Sequence, residues 1–168
     1  MNDLTLYHQF RDQMQTGDIL GWSGEGIISN IIKWKTDGNI SHSSMIIRLK
    51  EYEGDDMRIF QTEALANGVY PDILSRRLQD YDGHVYWYQL KDEWNDKRIE
   101  IGRRLTDMWG TGYDYLSLFK QLIGKANTNA RKLFCSETCW IALGMGGKVP
   151  NPVELSKMDL YKAMRVIL

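Results

Sequence analysis

The chain has 168 residues, 43% hydrophobic and 26% charged, which suits one domain with its own core and argues against a disordered chain. A formal net charge of −1, with no basic run, gives no drive toward nucleic acid. Two cysteines four positions apart and three scattered histidines (His8, His42, His84) make neither a disulfide framework nor a zinc pattern.

The first residues lack a basic segment followed by a long apolar one, so no secretory signal is expected. No apolar run approaches the ~18 residues of a membrane span. The expectation is a soluble protein of the reducing cytoplasm, with both thiols free.

Leu4 to Met14 carries Leu4, Tyr7, Phe10 or Arg11 and Met14 at helical spacing, and predicts a short amphipathic helix. Gly17-Asp18-Ile19-Leu20 reads as a turn entering a strand. Ile27, Ile28, Ile31, Ile32 and Trp34 fit the apolar face of a helix ending near Thr36-Asp37-Gly38. Ser43 to Leu49 predicts a buried strand, Glu51 to Asp56 a polar hairpin loop, and Arg58 to Ala64 a returning strand. His84 to Leu90, aromatic and β-prone, predicts another.

Helices follow. Asp92 can cap one running to about Trp109, with Trp94, Ile101, Leu105, Met108 and Trp109 on its buried face and Gly110 stopping it. Asp114 can cap a second through Ile123. Cys135 to Leu143 reads as a third, closed by Gly144. Ser156 with Asp159 resembles a capping box for a last helix through Met164. Helix, strands, then helices predict an α+β fold in a single domain, 1–168.

Cys135 lies in Phe134-Cys135-Ser136-Glu137-Thr138. At the first turn of a helix the unpaired N–H groups would favour a thiolate there. The alternative is a small buried hydrophobe. Cys139, one turn on among Trp140, Ile141 and Leu143, reads as core. His42, between two serines at a strand start, can present its ring at a sheet edge as a base. Glu63, ending the strand that would pair with the His42 strand, is the candidate third member; Asp18 is the rival. His8 and His84 read as structural.

Four segments occur in order: Gly17-Asp18-Ile19-Leu20, Ser41-His42-Ser43-Ser44-Met45-Ile46-Ile47, Thr62-Glu63-Ala64 with Gly68-Val69, and Phe134-Cys135-Ser136-Glu137. Together they resemble the circularly permuted branch of the NlpC-type papain-like cysteine hydrolases, in which histidine precedes cysteine. The resemblance covers most of the chain from about Gly17. It implies a papain-like fold with a central antiparallel sheet, a nucleophile at Cys135, a base at His42 and a third polar residue at Glu63. Gly112-Tyr113-Asp114-Tyr115 looks like the Tyr-Asp segment that precedes the cysteine in this branch.

Relatives span peptidoglycan peptidases, amidases and lecithin retinol acyltransferase-like lipid enzymes. The resemblance therefore implies cleavage of an amide, such as a cell-wall peptide stem, with no cofactor and no metal. A lipid acyltransferase or lipid hydrolase, and a papain-like shell used only for binding, stay open beside it. Trp22, Trp34, Met45 and Trp87 are the residues that could give a cleft mouth an apolar lining. A wall-directed enzyme without an export signal would need a lysis or injection route, as phage proteins have.

Overall fold

A computed structural model describes residues 1–50, 58–65, 68–111 and 130–168. Six strands form one antiparallel sheet: β1 (Ile19–Gly24), β2 (His42–Ile47), β3 (Phe60–Leu65), β4 (Gly68–Ile73), β5 (Gly83–Leu90) and β6 (Tyr161–Val166). Their spatial order is β4-β3-β2-β1-β5-β6. Pro71 lies in β4, where an edge strand tolerates the missing N–H.

Side chains alternate across the sheet, and both faces are covered. On one face Ile19, Met45, Ile47, Tyr88 and Leu90 pack with Ile101 and Leu105 of α4 (Arg98–Asp107) and Cys139 and Trp140 of α5 (Ala130–Ala142). Leu155 of α6 (Pro152–Ser156) joins them. On the other, Leu20, Trp22, Ile46, Val85 and Trp87 pack with Tyr7 of α1 (Thr5–Phe10) and Leu74 and Leu78 of α3 (Leu74–Gln79). The inner strands β1 and β2 are buried along nearly their whole length, whereas the edge strands β4 and β6 leave Tyr70, Met164 and Val166 exposed. A further helix, α2 (Ile27–Thr36), connects β1 to β2. The result is α+β, as the sequence predicts.

Several expectations need correction. The Leu4–Met14 helix is an α-helical turn and a half that tightens into a 3-10 turn, Arg11–Gln13. The helix expected from Asp92 starts as 3-10 turns over Asp92–Lys97, and the Asp92 carboxylate pairs with Lys162 instead of capping. The helix bearing Cys135 starts at Ala130, not at the cysteine. No helix spans Ser156 to Met164: Tyr161–Val166 is a strand paired with β5, and the capping box belongs to Asn151 and Glu154 at the head of α6. The Ile27, Ile31 and Trp34 face of α2 is exposed, not buried. Strand β4 and helix α3 have no counterpart in the sequence reading. The Glu51–Asp56 loop, the Asp114–Ile123 helix, and Tyr113 and Asp114 themselves lie outside the described residues.

Candidate functional site

His42 opens β2, and the backbone before it fixes the position. Asp37, in the left-handed region at φ 49°, ends α2. Ser41 then donates both its N–H (2.9 Å) and its hydroxyl (3.1 Å) to the Trp22 carbonyl, locking the strand start against β1. Glu63 lies near the end of β3, on the same face as Gln61 and 3% exposed. Cys135 arrives from α5, on the opposite face of the sheet.

These three meet because β2 and β3 part. Their ladder runs from Ile47↔Phe60 to Met45↔Thr62 and stops. On either side pairing continues, to Trp22↔His42 in one direction and Leu65↔Gly68 in the other. His42 and Glu63 approach across the opening, with Nε2 and Oε2 3.0 Å apart. The imidazole is also hydrogen-bonded to the Cys135 thiol, which leaves Nδ1 for the sulfur. The cysteine further accepts from the backbone N–H groups of Ser43 and Ser136.

Burial opposes the imidazolium, but the charge and hydrogen bond of Cys135, then those of Glu63, outweigh it and push the His42 pKa up to about 10. Burial likewise opposes the thiolate, yet the His42 charge and hydrogen bonds hold the Cys135 pKa below that of a free thiol. Each charge thus stabilises the other, and the pair is shifted toward thiolate and imidazolium. Burial would raise the Glu63 pKa, but its bond to His42 and the charges of His42 and Arg77 keep it low. Cys139 lacks such a partner, and burial drives its pKa well up. Neither cysteine forms a disulfide.

Behind the triad stands a buried polar chain. Arg77 Nε (3.1 Å) and Gln61 Nε2 (3.3 Å) both donate to Glu63 Oε1, leaving Oε2 for histidine. The Gln61 carbonyl accepts from Ser44 Oγ at 2.6 Å, and Ser44 accepts from Trp22 Nε1 at 2.8 Å. The Arg77 guanidinium lies over the Trp22 and Tyr81 rings, 5.2 Å from each centroid. Sequence reasoning missed Arg77, Gln61 and Ser44. The one available signal was the two-residue spacing of Gln61 and Glu63, which puts them on one face of a strand.

The structure thus brings Cys135, His42 and Glu63 together and excludes Asp18. Asp18 sits at the far end of β1, fully buried, accepting from Trp87 Nε1 (2.9 Å), Arg98 (3.0 Å) and the N–H groups of Gln15 and Leu90. Cys135 is the sixth residue of α5, so the helix-start dipole argument does not apply to it. Ser136, Glu137 and Thr138, expected to face a cleft, are buried. Trp22, Met45 and Trp87 are core; Trp34 is exposed. The sulfur is itself buried, and the triad reaches solvent at the His42 side chain, which is 21% exposed.

No protein-family model matches this chain, and no curated protein matches it significantly. Among solved structures it is similar to the metalloprotein YiiX from Escherichia coli O157:H7, with a TM-score of 0.55 and 18% identity. The match covers 77% of this chain and 64% of that one, so the chain spans under two thirds of that protein's length. At this identity the likeness is one of fold. Among the described residues, no three or more His, Cys, Asp or Glu side chains cluster in a way that could hold a metal ion. Among the same residues, no helix is long and apolar enough to cross a membrane.

Proposed function

We propose that this chain is a cysteine hydrolase of the permuted papain-like kind, acting on an amide bond. One observation carries the reading: Cys135, His42 and Glu63 come from three separate elements and join in a single hydrogen-bonded line. The thiolate attacks the carbonyl carbon, and the carbonyl oxygen takes the negative charge. The Ser43 N–H, which donates to the sulfur in the resting site, can turn to that oxyanion once the sulfur has given up its charge. His42 gives its proton to the leaving amine, and an acyl-enzyme remains. His42 then takes a proton from water, whose oxygen attacks the thioester and frees the thiol. Glu63, fixed by Arg77 and Gln61, holds the imidazole in orientation and stabilises its charge.

The favoured substrate is a small peptide or N-acyl compound, a cell-wall peptide stem among them, in a phage-borne or cytoplasmic setting. An acyl lipid is the second reading, favoured by the exposed Ile27 and Trp34 on the helix preceding His42. Incubation with purified peptidoglycan fragments, and separately with N-acyl and ester lipids, distinguishes them. Wild type should turn over one class and Cys135→Ala none. Turnover that survives in Cys135→Ala, or its absence on both classes, would remove the hydrolase reading.

A further inference from the structure

Three apolar residues of α2 face outward. In α2, Ile27 is 81% exposed, Ile31 50% and Trp34 80%. Spaced i, i+4 and i+7, they fall on one stripe. It extends ~10 Å along the helix at ~1.5 Å per residue. Single exposed apolar residues are ordinary, but three aligned on one ten-residue helix form a patch that marks an interaction site. The helix leaves the sheet at Gly24, where β1 ends, and returns it at His42, where β2 begins. It therefore stands at the triad's end of the sheet.

We propose that α2 is a lipid-docking helix whose Ile27–Ile31–Trp34 stripe inserts among the headgroups of a phospholipid bilayer. Two features choose a bilayer over a second copy of the chain. Three side chains on one short helix offer at most a few hundred Å², far from the ~1,200–2,000 Å² of a stable protein interface. A bilayer sets no such area, since shallow insertion of a narrow apolar face is enough. The composition also fits: an indole for the headgroup level, flanked in sequence by two lysines, Lys33 and Lys35, that add positive charge to the helix. Glu25 and Asp37 bracket the helix and balance those lysines, so apolar insertion supplies most of the binding and anionic lipid adds little. The helix lies on the membrane and does not span it.

The docking is a binding property and stands apart from the hydrolase reading. It is tested by co-sedimentation with vesicles of phosphatidylcholine containing a minority of phosphatidylglycerol. Wild type and Cys135→Ala should sediment alike. The triple variant Ile27→Ser, Ile31→Ser, Trp34→Ser should partition at least about tenfold less, as removal of three inserting side chains requires. Its far-UV circular dichroism should be unchanged. A second readout needs no destabilising change: the difference between wild-type and Trp34→Phe emission should shift blue when vesicles are added. Failure of wild type to sediment, equal sedimentation of the triple variant, or an unshifted difference spectrum would overturn the proposal. So would a wild-type dimer that the triple variant dissociates while vesicles have no effect, because the stripe would then belong to a second copy.

Discussion

At His42 two opposing pressures decide the chemistry. Burial favours the neutral ring, while the cysteine and the carboxylate favour the charged one and win, raising its pKa to about 10. The stabilisation this gives the fold is complete below the free-imidazole value of 6.5 and is lost as pH rises through about 10. For Cys135 the sign reverses. Its pKa is lowered, so its contribution is present above the free-thiol value of 9.0 and fades as pH falls through the folded value. Alkylation by iodoacetamide should accordingly label Cys135 well below the pH at which a free thiol reacts, and Cys139 hardly at all. His42→Gln should move the Cys135 profile up toward that of a free thiol. Arg77→Gln should move it the same way by less, because it weakens Glu63 without removing the imidazole. Peptide-level mass analysis across pH checks all three. Equal labelling of the two cysteines, or a profile indifferent to His42, would dismantle the ion pair.

At the scale of elements, legibility followed the strength of the repeat. His42, Glu63 and Cys135 could be picked out because each is a chemically active residue at the border of an apolar run. The strands bearing His42 and Glu63 were readable from those runs. Arg77 was hidden because α3 spans only six residues, with Leu74 and Leu78 its two buried positions, too few to show a period. Tyr161 to Met164 reads as the end of a helix because so short a segment satisfies both periods. Pairing with β5 selects the two-residue one. The start of α5 was misplaced because Ser136, Glu137 and Thr138 imitate a polar first turn. They lie inside a helix that already runs from Ala130, so no cap is needed there, and Ser136 Oγ instead donates to the Pro150 carbonyl at 2.7 Å. Asn151, next to that carbonyl, caps α6 by accepting from Val153 and Glu154, both at 2.9 Å. Asn151→Ala should cost about 1 kcal/mol, read as a fall in Tm of roughly 2–4 °C for a chain of this size. An unchanged Tm would mean that α6 is held by Leu155 and Tyr161 packing alone.

For the whole molecule, the sheet must keep β1, β2 and β5 in register for the β2–β3 opening to fall beside α5. Asp18 ties those parts together at the end away from the triad, joining the Gln15 turn, Trp87 and Leu90 of β5 and Arg98 of α4. It is fully buried, so its charge depends on those donors. Burial nevertheless dominates and raises its pKa, with Arg98 opposing most strongly. Arg98→Ala removes the compensating charge and leaves a buried carboxylate unpaired, which should cost ~3–5 kcal/mol at neutral pH. That is a large share of the ~5–15 kcal/mol by which domains are stable. The penalty should also depend on pH. A carboxyl whose folded pKa lies above its unfolded value binds its proton more readily when folded, so its effect on stability improves as pH falls through the folded value. In Arg98→Ala that value rises further. The gap between wild type and variant, measured by urea denaturation, should therefore narrow on acidification. Taking the difference cancels the acid sensitivity that both proteins share at Glu63. A gap that stays constant with pH would show that Arg98 acts through packing and its bond to the Thr16 carbonyl, not through the Asp18 charge.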